Sequence, residues 1–307
     1  MKYLVVFNTC ELKGPNFKWY ESCLDNLLKV KSDQYEYDIA VSGCMITPDT
    51  QEKLLKKYKN KIIFNFIECK LTVNVTFNHT INKIVEQRGR YDGYVYFDSG
   101  VNINDNLHYL DEIHSRFATK KYGMVTLQTD TDTGFYFLGL YGYFYDHDYI
   151  VPVGKACNLH VTCFSDKLLQ YYNKLIPDIF LAYCTESVFS FLNAALNLRW
   201  IIVKDLILEH KKSIDGASAG FDHVGKKEHW NNLYGGLDML DIIKDPEARR
   251  LGLGYEEINH IMMHDVEAFT HYGHAKNNGL KDYIKEKLFL KDRMLNYNHI
   301  PFKFYNI

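Results

Sequence analysis

Residues 2–8, Lys-Tyr-Leu-Val-Val-Phe-Asn, form an apolar run with no alternation. That is the pattern of a strand buried on both faces of a parallel sheet. After a Gly14-Pro15 loop, Trp19, Cys23, Leu24, Leu27 and Leu28 recur at helical spacing. Residues 37–41 read as a second strand, 48–60 as a helix with Leu54, Leu55 and Tyr58 on one face, and 61–67 as a third strand. In 73–87 the residues Val73, Phe77, Ile81, Ile84 and Val85 mark another helix face, and 94–97 is a fourth short strand. The order β-α-β-α-β-α-β, with helical crossovers long enough to join parallel strands, predicts a Rossmann-like, nucleotide-binding α/β half.

The pattern changes after residue 100. The sequence predicts a helix at 106–117, strands at 122–127, 134–145 and 161–164, helices at 166–175 and 186–198, and strands at 200–203 and 206–210. With few helices between its strands, this half of the sheet is expected to be mixed. From His223 onward polar, Gly- and His-rich segments dominate, ending in a charged helix near 280–295. The expected organisation is one α/β unit over 1–220, divided into halves of 1–105 and 106–220, and a mostly helical C-terminal extension over 221–307.

Composition narrows the function. The 307 residues carry 36 Lys+Arg against 38 Asp+Glu, a net charge of −2. No strong field attracts nucleic acid or anionic membrane. No stretch reaches the ~18 apolar residues that span a bilayer. The first apolar run is too short for a signal peptide, and the seven cysteines are scattered without a C-x-x-C pair. A cytoplasmic protein with reduced core thiols is expected, and the sequons at Asn74 and Asn78 would be silent there.

In open α/β sheets ligands bind beyond the carboxyl ends of the strands. There is no G-x-G-x-x-G after the first strand, no P-loop and no G-x-S-x-G elbow. The fourth strand instead runs Tyr94-Val95-Tyr96-Phe97-Asp98-Ser99-Gly100. An aspartate at that tip is placed to hold a Mg²⁺ or Mn²⁺ ion on a diphosphate, or merely to turn the chain with Ser99 and Gly100. Asp130-Thr131-Asp132 and Asp146-His147-Asp148 are rival acidic pairs. The position after four α/β elements favours Asp98.

Residues 73–100 resemble the D-x-D region of GT-A fold glycosyltransferases, with Gly100 in place of the second acid. The resemblance covers about residues 1–212 and is family 2-like with a degenerate motif. It implies a Rossmann-like GT-A fold with a mixed, mostly parallel central sheet, and a donor that is a UDP- or GDP-sugar bound with Mn²⁺ or Mg²⁺. It implies that Asp98, Ser99, Gly100 and Asn78 meet the nucleotide sugar. Phe7, Asn8, Thr9 and Ser42 stand at the strand ends where such enzymes hold the base.

Residues 177–188 resemble the helix start that carries the base of inverting enzymes. Thr185 is a candidate N-cap and Glu186 suits the first turn; Ser187 stands where that family often has its Asp. Glu186, or else Asp178, is the candidate base that takes the acceptor hydroxyl proton. His210, closing a strand, resembles the late metal-binding His, and Lys211 and Lys212 are placed to neutralise diphosphate oxygens. The expected activity is metal-dependent, inverting sugar transfer to a hydroxyl of a glycan or protein acceptor.

Two alternatives differ in kind. A sugar nucleotidyltransferase would carry a Gly-rich, basic loop after the first strand, where residues 10–15 have one Gly and one Lys. A noncatalytic nucleotide- or sugar-binding protein of the same fold would explain Gly100 and Ser187. Residues 146–157 have the look of a loop closing over the donor, between Gly142 and Gly154. His260, His264, His271 and His274, with Trp230, Tyr234, Tyr255 and Tyr272, form a His- and aromatic-rich region that either lines an acceptor site or is an exposed helix face.

Overall fold

The computed structural model describes residues 1–11, 16–68, 73–130, 148–151, 159–176, 189, 192–193, 196–211 and 302–307. The strands are β1 (Lys2–Cys10), β2 (Glu36–Cys44), β3 (Ile63–Ile67), β4 (Gly93–Asp98), β5 (Val101–Asn102), β6 (Tyr122–Thr129), β7 (Tyr149–Ile150), β8 (Val161–Ser165), β9 (Arg199–His210) and β10 (Phe302–Tyr305). The helices are α1 (Phe17–Leu27), α2 (Pro48–Tyr58), α3 (Val73–Arg88), α4 (Tyr109–Phe117) and α5 (Asp166–Tyr172). None of the described helices is long and apolar enough to cross a membrane.

The strands form one sheet in the order β10-β3-β2-β1-β4-β8-β6-β9-β5, with β7 on β9. Strands β3, β2, β1 and β4 run parallel; β8 is antiparallel to both β4 and β6, and β6 and β9 are parallel. The order reverses at β1, which lies between β2 and β4. Open α/β sheets bind ligands in a crevice beyond the carboxyl ends of the strands at such a reversal, here β1 and β4.

The uninterrupted apolar run of β1 reflects burial on both sides: Tyr3 through Phe7 are all fully buried. Tyr3, Val5 and Phe7 share one cluster with Tyr20, Leu24 and Leu27 of α1. On the opposite face α3 lays Phe77 edge-on against Tyr96, with ring centroids 5.3 Å apart. Alternation along each strand thus gives every second residue to a different helix layer. Helix α2 starts where chain chemistry says it should: Thr47 caps it, accepting from the Thr50 N–H, Pro48 follows, and Asp49 sits in the first turn.

Several boundaries differ from the sequence reading. The helix expected at 106–117 begins at Tyr109, because residues 103–108 turn, with Asn104 at φ 46. The helix expected at 166–175 stops at Tyr172, where Asn173 adopts φ 60 and its N–H bonds back to the Leu169 carbonyl. The two strands expected at 200–210 are one strand, whose register against β6 shifts between Leu127 and Gln128. Within the extension expected to be mostly helical, residues 302–305 form β10, antiparallel to β3. The strand expected at 134–145 and most of the helix expected at 186–198 lie outside the described residues, as does the soft boundary near 220.

A buried carboxylate ties the loops of the crevice together. Glu11, 5% exposed, accepts from the Asn16 N–H through Oε1 at 2.9 Å and from the Thr47 N–H through Oε2 at 2.7 Å. It joins the approaches to α1 and α2 just beyond β1. Glu11→Ala leaves two backbone donors without this acceptor, and is expected to cost about 1–3 kcal/mol of stability in chemical denaturation; an unchanged midpoint would mean water replaces the carboxylate.

At the other edge the His79 ring packs on Phe304 of β10, with centroids 5.7 Å apart. Burial, helped by the charge of Lys83, pushes the His79 imidazole down to about 4. The unfolded chain, with a histidine near 6.5, then binds the proton that the folded chain refuses. Stability contributed by neutral His79 is complete above pH 6.5, falls as the pH drops, and levels off near 4. Thermal melts of His79→Phe are expected to lose this part of the slope between pH 6.5 and 4.

Candidate functional site

The register of the sheet builds the site. Asn8 pairs with Asp98 across β1 and β4, and Phe97 pairs with Val161 across β4 and β8. The Asp98 N–H donates to the carbonyl of His160 at 2.8 Å. This places the aspartate at the tip of β4 directly beside the residue that leads into β8. The far end of β9 arrives from the other side: Val101 pairs with His210, and the Lys211 N–H donates to the Gly100 carbonyl at 2.8 Å.

Asp98, His160 and His210 meet there, all half-buried. One carboxylate oxygen and one ring nitrogen from each histidine lie within 4.8 Å of one another. Nδ1 of His160 is 3.2 Å from Oδ2 of Asp98, and the two imidazoles stack with centroids 4.0 Å apart and planes at 29°. Oδ1 of Asp98 accepts from the Gly100 N–H at 2.8 Å. Burial disfavours the Asp98 charge. The bond to His160, the charges of both imidazoles and the Gly100 N–H outweigh it and hold the carboxyl below the usual carboxylate range. The site thus keeps an ionised carboxylate beside two imidazoles.

That donor set fits a divalent transition-metal ion. Such ions are held by carboxylate oxygen and imidazole nitrogen at about 2.0–2.2 Å. Three donors already within 4.8 Å of one another need only small side-chain rotations to reach it.

Around the cluster, the indole N–H of Trp19 donates to the Ser99 carbonyl at 2.6 Å, and Nζ of Lys211 lies 5.0 Å over the Trp19 ring. The exposed Lys211 thus stands next to the motif, with its backbone bonded to Gly100. Asp130 holds the end of β9, accepting from the His210 N–H at 2.8 Å.

The structure separates the other residues expected at the nucleotide. Asn8 and Thr9 stand near the carboxyl end of β1 and are buried, each 6% exposed, and among the described residues Oδ1 of Asn8 and Oγ1 of Thr9 have no hydrogen-bond partner. Nδ2 of Asn8 donates to the Val6 carbonyl at 2.9 Å. Alternation turns the Phe7 ring into the core between Tyr20 and Phe97. Ser42 is also turned inward, accepting from the Thr80 hydroxyl at 3.1 Å in a buried network with Asn65. Asn78 faces the chain beyond α5: its Nδ2 donates to the Ile176 carbonyl, and its Oδ1 accepts from the N–H groups of Leu175 and Ile176. These side chains are committed to the fold.

The described member of each rival acidic pair, Asp130 or Asp148, has partners of its own. Asp148 accepts from Arg116 Nε and Nη2 at 2.8 and 3.0 Å and from the Lys204 N–H, a structural clasp between α4 and β9. Asp132 and Asp146 lie outside the described residues. So do Asp178, Glu186, Lys212, the expected closing loop apart from its Asp148–Val151 stretch, and the His- and aromatic-rich region. His160 was missed in the sequence. It stands in no motif, and only its place before the strand antiparallel to β4 brings it to Asp98.

No protein-family model matches the sequence, and no curated protein matches it. Solved structures do resemble the fold. GalNAc-T7 with UDP, GalNAc and Mn²⁺ superposes with a TM-score of 0.53 at 10% identity, over 94% of this chain and 57% of that one. A mannosyltransferase, PcManGT from Pyrobaculum calidifontis, in complex with GDP-Man and Mn²⁺, gives 0.49 at 14% identity over 90% and 86% of the two chains. S. aureus TarS 1–349 in complex with UDP gives 0.47 at 12% identity over 93% and 90%. At these identities the likeness is one of fold: the chain has the GT-A fold, with its mixed, mostly parallel sheet.

Proposed function

We propose that this protein is a metal-dependent glycosyltransferase that moves a sugar from a UDP- or GDP-sugar to a hydroxyl of a glycan or protein acceptor. One observation carries the reading: an ionised aspartate and two histidines converge at the tip of β4, beside the crevice where the strand order reverses. The likeness to a fold whose members include a UDP- and Mn²⁺-bound structure supports it.

Asp98 and His210 hold Mn²⁺ or Mg²⁺, and the imidazole donors favour Mn²⁺. The ion supplies charge neutralisation of a diphosphate leaving group. Lys211 adds a second positive charge on the same rim, and Ser99 and Gly100 shape the turn that meets the phosphates. Asn8 offers an acceptor, Oδ1, and Thr9 a hydroxyl toward the base. Their buried polar atoms, without a partner among the described residues, are the kind a bound ligand satisfies. Glu186 is the proposed base, with Asp178 as its substitute; in an inverting transfer it takes the proton of the acceptor hydroxyl as that oxygen attacks the anomeric carbon. A noncatalytic binder gains nothing from Gly100, because that glycine has a packing role beside His210, whose Nε2 would lie 2.7 Å from a Cβ there.

A thermal-shift screen over UDP- and GDP-sugars with Mn²⁺ tests donor binding. Ligand at about 100 times Kd stabilises the native state by about 2.7 kcal/mol, a rise of several degrees. Slow sugar release from the responding donor is expected, and Asp98→Ala is expected to lower it about 100-fold or more, the loss of a few kcal/mol of charge stabilisation. No shift and no release with any such donor would end the proposal.

The base has its own test. Glu186→Gln is expected to keep the donor-induced shift and lose transfer to acceptor by about 10²–10⁴-fold. Undiminished transfer would move the role to Asp178 or to a retaining route.

A further inference from the structure

The third position of the acidic motif is Gly100, which offers no ligand. Its emptiness has a steric cause. A Cβ at 100 would lie 2.7 Å from Nε2 and 2.9 Å from Cδ2 of His210, and 3.3 Å from the Lys211 carbonyl. The backbone cannot retreat easily, because the Lys211 N–H is bonded to the Gly100 carbonyl. His210 fills the space that a side chain at 100 would use.

A third donor comes from a different strand. His160 precedes β8, which runs antiparallel to β4, so that its carbonyl receives the Asp98 N–H and its ring reaches the Asp98 carboxylate at 3.2 Å. The ring also lies flat on His210 at 4.0 Å. Side-chain exposures of 18% for His160 and 27% for Asp98 leave both side chains half-buried and held in place by packing.

Resting on the reading of this rim as a metal and diphosphate site, we infer that His160 is the third protein ligand of the cation, in place of the motif's missing side chain. The protein then offers one carboxylate and two imidazole nitrogens, and leaves the remaining positions to water and phosphate oxygens. Such a set suits Mn²⁺ and its transition-metal neighbours better than Mg²⁺, which prefers oxygen.

Mn²⁺ itself is the probe. The whole protein is titrated with Mn²⁺ in the presence of UDP or GDP, with free Mn²⁺ read by electron paramagnetic resonance and bound imidazole nitrogens counted by spin-echo modulation. Wild type is expected to show two coupled imidazoles. His160→Phe keeps a ring on His210 but removes the donor; it is expected to show one, with Kd for Mn²⁺ raised about tenfold or more. His160→Asp, a second variant should the first fail to fold, is expected to show one imidazole and to gain affinity for Mg²⁺ as a competitor. A wild type with a single coupled imidazole, unchanged in count and Kd by His160→Phe, would overturn the role of His160 while leaving Asp98 and His210 as the site. A wild type that binds no Mn²⁺ with either nucleotide would overturn the function proposed above as well.

Discussion

Everything at the candidate site depends on the pairing of β4 between two neighbours of opposite direction. On one side β1 is parallel and aligns Asn8 with Asp98. On the other β8 is antiparallel and delivers His160 to the same tip. A one-residue slip in either pairing would turn the carboxylate into the opposite face of the sheet. The register is held by large buried side chains on both faces: Tyr94, Phe97, Phe7 and Phe164 are all fully buried. The apolar core therefore acts on the chemistry directly, by deciding which polar residues share an edge.

Buried polar groups also fasten the scaffold around the site. Ser42, Thr80, Asn65 and Asn78 hydrogen-bond within the protein and tie α3 to the sheet and to the segment after α5. At the carboxyl end of β1, Nδ2 of Asn8 donates to the Val6 carbonyl, while among the described residues Oδ1 of Asn8 and Oγ1 of Thr9 have no hydrogen-bond partner, as Oδ1 of Asn65 has none. A buried polar atom without a partner costs stability wherever it stands, so position at the strand end, not the missing bond, distinguishes Asn8 and Thr9 from Asn65.

Gly100 links local sterics to the geometry of the rim. The glycine leaves room for His210 to approach, and His210 stacks on His160 beside Asp98. The Asp130 carboxylate, accepting from the His210 N–H, and the Lys211 N–H, donating to the Gly100 carbonyl, hold the end of β9 in that position.

The first hundred residues were legible from pattern alone. Runs such as Leu4–Phe7 and the helical spacing of Phe77, Ile81 and Ile84 are local consequences of burial on two faces, so strands, helices and their order can be read along the chain. Asp98 was legible for the same reason, standing where an apolar strand ends. Three things were not. The short strands β5, β7 and β10 exist only because longer partners offer free edges. The inward turn of Phe7 and Ser42 follows from pleat and layer, not from residue type. His160 meets Asp98 across 62 residues of chain. Composition and periodicity record what each residue does with water; which distant residues become neighbours is set by strand register, and only the assembled sheet contains that.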